Sequence, residues 1–314
     1  MSAGASTLQL LRRLRSVFPD LAQRSKKGEN GRIAVVGGSF EFTGAPFYSA
    51  ISALRVGGDL SHIFCSKFSS PAIKSYSPEI IVHPLFVSEE EARFPQREVE
   101  AMTEEWAAKL KGWEKAIHSW IVGPGLGRDR YMQEFLPLLI RNLPDDSVVV
   151  FDADGIYYLC HRPELFDELA RFRTILTPNH RELAILQKIY RIDVDEILRG
   201  ADSREEISEI SCRHAFPHFK LLIKGPHDII LGRERSFVVR TEGGKKRCGG
   251  MGDILAGAAS VCALWDFEYG PALASRIVRL ATRAAFEKEG RGLTAPSVIR
   301  ELAQTVKNIE SDIY

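Results

Sequence analysis

The chain carries a series of short, predominantly apolar runs with no regular polar alternation: residues 33–36, 61–65, 80–82, 117–122, 147–151, 174–176 and 221–223. A strand with one face in water alternates apolar and polar residues. A strand that does not alternate must be covered on both faces. Most of these runs are separated by segments of helical length. The expected fold class is therefore α/β: a central, mostly parallel sheet with helices on both faces. Residues 229–231 and 237–239, separated by Gly232-Arg233-Glu234-Arg235, read as a small antiparallel hairpin at one edge. From about Asp253 onward the chain reads as helical. No internal repeat or linker interrupts the pattern, so residues 1–314 read as one domain.

Residues 1–20 stand apart. They contain Arg12, Arg13 and Arg15, and no acid before Asp20, which suits a targeting segment. The helical spacing of Leu8, Leu10, Leu11, Leu14 and Phe18, with serine sparse, favours instead a first helix docked on the body. The formal net charge of +1 supplies no electrostatic footprint for nucleic acid. No apolar run is long enough to cross a bilayer. Five cysteines, widely spaced and without a CxxC, argue against a disulfide framework and for a reducing compartment. Cys212 and His214 with His218 suggest a metal cluster at first sight, but Pro217 intervenes and no second ligand pair follows. Trp106, Trp113 and Trp120, spaced by seven, read as a helix face plus strand core, and Glu89-Glu90-Glu91 as a solvated face. What remains is small-molecule chemistry in the cytoplasm, with a mitochondrial pool left open by the N-terminus.

In an open parallel sheet, ligands bind beyond the carboxyl ends of the strands. Here the runs end in Gly37-Gly38-Ser39, Gly123-Pro124-Gly125, Asp152-Ala153-Asp154, Thr177-Pro178-Asn179 and Lys224-Gly225. All five segments should share one edge. The glycines of Cys248-Gly249-Gly250-Met251-Gly252-Asp253 let several N–H groups converge, and the helix that begins there adds its positive end. That combination suits a phosphate in transfer. Asp253, in the first helical turn, cannot usefully bind phosphate but can take a proton from an attacking hydroxyl. Read locally, the same residues are a glycine-rich turn with an Asp cap. Lys224 can meet nucleotide phosphates and Asp228 a ribose or a metal-bound water; the plainer reading is a charged hairpin turn. Asp152 and Asp154 can hold Mg²⁺ through water, while Asp154 also suits a helix cap. Asn179 and Glu182 have capping-box spacing, which is enough to explain both.

Further segments complete a set: Lys27-Gly28, Gly31 through Ser39, Thr43-Gly44-Ala45-Pro46, Ala53 through Gly57, Ser75 through Glu79, and Leu126-Gly127-Arg128-Asp129. From about Leu14 onward the chain resembles the NAD(P)H-hydrate dehydratases of the ribokinase-like superfamily. The resemblance implies an ATP-dependent repair reaction. Water adds to the nicotinamide ring of NADH or NADPH, and the enzyme phosphorylates the new hydroxyl and releases phosphate to restore the double bond. It implies ATP and Mg²⁺ as cofactors, and catalysis by Asp253 with Gly250 and Gly252. For ATP it implies Lys224, Gly225, Pro226, His227, Asp228, Gly243, Gly244, Lys245, Lys246, Arg247, Cys248, Gly249, Gly250, Met251 and Gly252. For the hydrate it implies Gly125, Asn179, His180, Arg181, Glu182, Leu183, Ala184, Ile185 and Asp253. It also implies partnership with a separate NAD(P)H-hydrate epimerase, and leaves a homo-oligomer open. Two positions depart from the family pattern: Met251 stands where Gln is usual, and Phe42 where Tyr is common. Asn179 and residues 75–79 look like the eukaryotic, ATP-using branch. A kinase of the same superfamily, phosphorylating a vitamin-precursor alcohol, would share the loop and Asp253. A nucleotide-binding regulatory protein without catalysis is the rival from another class.

Overall fold

The structure, a computed structural model, describes residues 7–23, 26–199, 205–210 and 218–311. Cys212 and His214 lie outside the described residues. The strands are β1 (Arg32–Val36), β2 (Leu60–Ser66), β3 (Ile81–Phe86), β4 (Ser119–Val122), β5 (Val148–Phe151), β6 (Arg173–Leu176), β7 (Ile207–Ile210), β8 (Phe219–Ile223), β9 (Asp228–Leu231) and β10 (Ser236–Val239). They form one sheet in the order β3-β2-β1-β4-β5-β6-β8-β9-β10-β7. Pairing is parallel from β3 through β8 and antiparallel from β8 to β7.

The expected hairpin forms between β9 and β10, but it is not the edge. β7 pairs with β10 and closes that side of the sheet. Its Ile-Ser-Glu-Ile sequence has two polar residues at its centre, so it lacks the apolar run that marks the central strands.

Burial on both faces is visible within single strands. Ile33 and Val35 join one core, and Ala34 and Val36 the other; Val148 and Val150 divide from Val149 and Phe151 in the same way. The first core is covered by α2 (Gly44–Val56), α10 (Met251–Trp265), α11 (Gly270–Glu289) and α12 (Ala295–Glu310). The second is covered by α4 (Gln96–Lys111), α5 (Arg130–Asn142), α6 (Asp154–His161) and α8 (His180–Tyr190). α3 (Ser70–Tyr76), α7 (Leu165–Glu168) and α9 (Val194–Arg199) are short connectors. Trp106 and Trp120 are buried in the second core, and Trp113 packs edge-on against His83. The amphipathic segment near the N-terminus forms α1 (Thr7–Arg15), which rests on β7 and α11. Leu10 and Leu14 are buried, and the Phe18 ring lies 5.7 Å from that of Trp265, whereas Leu8 is exposed.

The strand order reverses at β1. The chain winds outward through β2 and β3, then returns to β4 on the other side of β1. A crevice opens at such a reversal, at the carboxyl ends of the strands. Helix α10 reaches that crevice because it packs closely on α2. A Cβ at Gly257 would lie 2.2 Å from the Ser49 carbonyl oxygen, and the Ser49 hydroxyl donates to the Asp253 carbonyl at 3.0 Å. Gly257→Val is expected to cost about 2–3 kcal/mol through overpacking, a fall in Tm of several degrees. Thermal melting checks this, and an unchanged Tm would show that the two helices can part freely.

Candidate active site

The loops after β1 and β4 are joined across the reversal. Gly38 N–H donates to the carbonyls of Pro124 at 3.1 Å and Gly125 at 3.0 Å, and Ser39 N–H donates to Gly125 at 2.7 Å. A Cβ at Gly37 would lie 2.1 Å from the Pro124 oxygen. Gly125 has φ +60°, and its Cβ would lie 2.6 Å from the Phe42 oxygen. Only glycine permits that approach. The crossing loops bound a cavity of about 830 Å³, whose wall includes Phe42, Glu89, Glu90, Arg93, Gly125, Arg128, Asp154 and Asp253. Its size suits part of a dinucleotide.

Asp253 is the third residue of α10, so it does not cap the helix, contrary to the local reading. The cap position is Gly250, at φ +88° and with no side-chain cap bond. A Cβ there would press on the Tyr48 ring at 2.7 Å and on Ala295 at 2.8 Å. The first-turn N–H groups of Met251, Gly252 and Asp253 therefore lack partners within the helix. Lys224 points at the same place: its ammonium would lie 3.2 Å from a Cβ on Gly252. Two positive poles converge there, the ammonium and the helix N-terminus, as an anion site requires.

Asp152, at the end of β5, holds Lys224. Its Oδ1 accepts from Lys224 Nζ at 3.0 Å and from the Thr177 hydroxyl at 2.5 Å. Burial pushes the Asp253 carboxyl up to about 7, with Asp152 adding repulsion; Lys224 pulls the other way, and Asp154 adds a smaller repulsion. Glu182 is buried and also raised, chiefly by burial, with Asp152 opposing its charge and Lys224 favouring it.

The two acids read as a water-mediated Mg²⁺ pair differ. Asp152 Oδ2 carries no protein partner among the described residues and lies 3.9 Å from a Cβ placed on Gly252, so it fits a cation held on phosphates at the glycine loop. Asp154 does not fit: Oδ1 accepts from Arg128 Nε at 2.6 Å and Oδ2 from Gly127 N–H at 3.0 Å. Nor does Asp154 cap α6. Ala153 occupies the cap position, at φ +47°, with no side-chain cap bond. Among the described residues no group of three His, Cys, Asp or Glu side chains is placed to hold a metal.

Other expected residues are brought close without facing the site. Asp228 is buried, and its carboxylate is taken by Arg279 Nε and a terminal nitrogen, both at 2.9 Å, and by the Ser275 hydroxyl at 2.7 Å. It is neither a charged turn residue nor free for a ribose. Gly243 and Gly244 run along α11, where a Cβ at Gly244 would lie 2.6 Å from the Thr282 oxygen. Lys246 donates to the carbonyls of Arg291 and Leu293 at 2.6 and 2.7 Å. These residues strap the loop down. Pro226, His227, Lys245, Arg247 and Gly249 are exposed, and Gly225 and Cys248 are half-buried.

The segment from Asn179 to Ile185 does not line the 830 Å³ cavity. Its capping box is complete: Asn179 Oδ1 accepts from Arg181 and Glu182 N–H, and Glu182 accepts the Asn179 N–H at 2.9 Å. His180 and Arg181 are exposed, Leu183 and Ala184 half-buried, and Ile185 39% exposed. Glu89-Glu90-Glu91 is a solvated face only in part: Glu90 is exposed, and Glu89 and Glu91 are half-buried. Glu89 and Glu90 line the cavity, and Glu91 accepts from the Ser66 hydroxyl and from Ser88 N–H at 2.7 Å. Sequence reasoning missed Arg279, which stands one turn beyond Ser275 on α11 and shares Asp228 with it; no sequence pattern pointed to that partner. Arg128, in the segment 126–129, carries no role that local pattern can assign.

The family described as NAD(P)H-hydrate dehydratase matches residues 33–304. The ATP-dependent (S)-NAD(P)H-hydrate dehydratase of Danio rerio is 35% identical over 310 residues, spanning 94% of this chain and 87% of that protein. The protein of the same name from Homo sapiens is 36% identical over 315 residues, spanning 95% and 82%. Among solved structures, a ribokinase-like superfamily protein from Enterococcus faecalis superposes with a TM-score of 0.73 at 16% identity, covering 95% of this chain and 94% of that one. The ADP/ATP-dependent NAD(P)H-hydrate dehydratase from Bacillus subtilis, co-crystallised with ATP/Mg²⁺, superposes with a TM-score of 0.66 at 18% identity, covering 96% and 97%. The structural likeness establishes a ribokinase-like fold, and the sequence match goes further: this chain belongs to the NAD(P)H-hydrate dehydratase family.

Proposed function

We propose that the chain restores the S-form of hydrated NADH and NADPH to the reduced dinucleotide, converting ATP to ADP and phosphate. The observation that carries this reading is the position of Asp253, which joins the anion site at the start of α10 to the cavity at the strand reversal. The hydroxyl of the hydrate attacks the γ-phosphorus, Asp253 takes its proton, and the bond to ADP breaks. Charge on the transferring group falls on the N–H groups of Gly250, Met251 and Gly252 and on Lys224. Hydroxide is a poor leaving group and phosphate a good one. Phosphate then departs with the ring C–O electron pair, a neighbouring ring carbon gives up its proton, and the double bond returns. Mg²⁺, when bound, neutralises phosphate charge, and Asp152 Oδ2 suits it through water. Met251 leaves its backbone N–H in the cradle, so the departure at that position removes only a side-chain contact. An enzyme confined to the S-form leaves the R-form untouched, which is the reason to infer a separate epimerase as functional partner. Residues 1–314 act as one domain in this reading. Cys65, Cys160, Cys248 and Cys262 are free thiols, as a reducing compartment allows.

The test is to incubate the purified protein with the hydrate, Mg²⁺ and either ATP or ADP, and to follow the reduced-nicotinamide absorbance and free phosphate. Recovery with ATP is expected. Recovery with neither nucleotide overturns the reading, and a stable phosphoester without free phosphate points to the kinase alternative. The base must be ionised in the free enzyme, so kcat/KM should fall about tenfold per pH unit below about 7. A profile flat well below that value would remove Asp253 from the role.

A further inference from the structure

Arg128 lies on the loop between β4 and α5, in the wall of the cavity that Asp253 shares. Its Nε donates to Asp154 at 2.6 Å, and its guanidinium carbon stands 4.1 Å from the centre of the Tyr157 ring. An acid and an aromatic face thus fix the plane of the fork. The backbone on both sides of Arg128 is fixed as well. Gly127 N–H donates to the other Asp154 oxygen at 3.0 Å, and the Tyr158 hydroxyl donates to the Gly127 carbonyl at 3.0 Å while accepting from Asp129 N–H at 2.9 Å. The Asp154 side chain is 13% exposed, and that of Arg128 is 52% exposed. An ion pair that open to water contributes little to stability. Neither terminal nitrogen of Arg128 has a hydrogen-bond partner among the described residues. The result is an oriented fork with two unclaimed NH₂ groups in the cavity wall, which matches two oxygens of a phosphate.

We propose that Arg128 binds the diphosphate bridge of the hydrated dinucleotide, with Asp154 and Tyr157 as its positioning residues. The proposal rests on the reading of this cavity as the hydrate site. The same phosphate chemistry is present in ATP, whose anchor in that reading is Lys224 with the first turn of α10. The two sources are separated by which ligand loses affinity.

The test compares wild type with Arg128→Ala, Arg128→Lys and Asp154→Asn. It measures NADH affinity by nicotinamide fluorescence, KM for hydrated NADH and for ATP, and Tm. Reduced nicotinamide mononucleotide, which lacks the diphosphate bridge, serves as the control ligand. Arg128→Ala should weaken NADH binding and raise KM for the hydrate by about tenfold or more, the loss of one charge-assisted contact. KM for ATP, Tm and affinity for the mononucleotide should stay within about twofold or a degree or two, as a contact confined to the bridge requires. Arg128→Lys should recover part of the loss. Asp154→Asn should weaken NADH binding, and adding it to Arg128→Ala should cost nothing more. Unchanged NADH affinity in Arg128→Ala, an equal loss for the mononucleotide, or a loss confined to ATP overturns the proposal. A wild type that binds NADH yet restores no hydrate refutes the proposed reaction, while the binding comparison still decides Arg128. A wild type that binds no NADH overturns both.

Discussion

Asp253→Asn is expected to cut turnover by at least about 10³-fold while leaving ATP affinity intact or improved. Asn keeps the shape of the side chain but cannot accept the hydroxyl proton, and removing a positioned base costs about 10²–10⁴. It also removes one negative charge from beside the phosphates. The same substitution should stabilise the protein. The folded state holds the Asp253 proton from its ordinary 3.8 up to about 7. A group whose folded pKa is raised favours the native state below its unfolded pKa, and that advantage is lost as pH climbs to the folded value. At about pH 8 the native chain carries an ionised carboxylate that burial and Asp152 oppose, a cost of about 2–4 kcal/mol after allowing for its partial exposure. Asparagine carries no such cost. Melting curves of the two proteins should therefore separate by several degrees at about pH 8 and converge as pH falls toward about 4. A less stable variant at high pH would mean that Lys224 more than compensates Asp253. Retained turnover would mean that another group takes the proton.

The sheet was legible because its strands obey a strict rule: residues 33–36 and 148–151 are apolar at every position, and the two cores divide them alternately. β7 was not legible, because a four-residue edge strand with Ser208 and Glu209 at its centre reads like a loop when its partner lies 26 or more residues away. The glycine loop was legible for a similar reason, since Gly250 at φ +88° admits no other residue easily. Side-chain partnerships were not. The spacing of Asp152 and Asp154 placed both at one strand end. It could not reveal that Asp152 holds Lys224 and Thr177 while Asp154 holds Arg128 and Gly127. Glu89 and Glu90 read as surface, and Glu90 is exposed; what the sequence did not show is that they share a cavity with the loops after β1, β4 and β5. Local pattern fixes backbone shape well, but it does not identify partners brought from 26 or 72 residues away.

Arg279→Met should be the most destabilising single change outside the core. It would leave the buried Asp228 carboxylate with only the Ser275 hydroxyl and Gly225 N–H, after losing two guanidinium contacts at 2.9 Å. Breaking a buried pair from one side costs about 3–5 kcal/mol, because the remaining charge has no compensation. Arg279 also donates to the carbonyls of Gly225 and Thr241, at 2.9 and 3.1 Å, so it ties the β8–β9 turn to the strap leading to the glycine loop. Loosening that tie should displace Lys224, which follows β8 directly, and raise KM for ATP as well as lower Tm. Removing the charge on both sides separates these effects. Asp228→Asn in the Arg279→Met background should recover most of the lost Tm, since the uncompensated charge is gone. It should not recover the KM, since the Gly225 and Thr241 carbonyls remain without their donor. Recovery of both would make the pair a purely electrostatic device. Recovery of neither would place the cost in the lost packing of the arginine stem. Only the split result, stability restored and nucleotide affinity not, fits a residue that holds the nucleotide turn in place through its backbone.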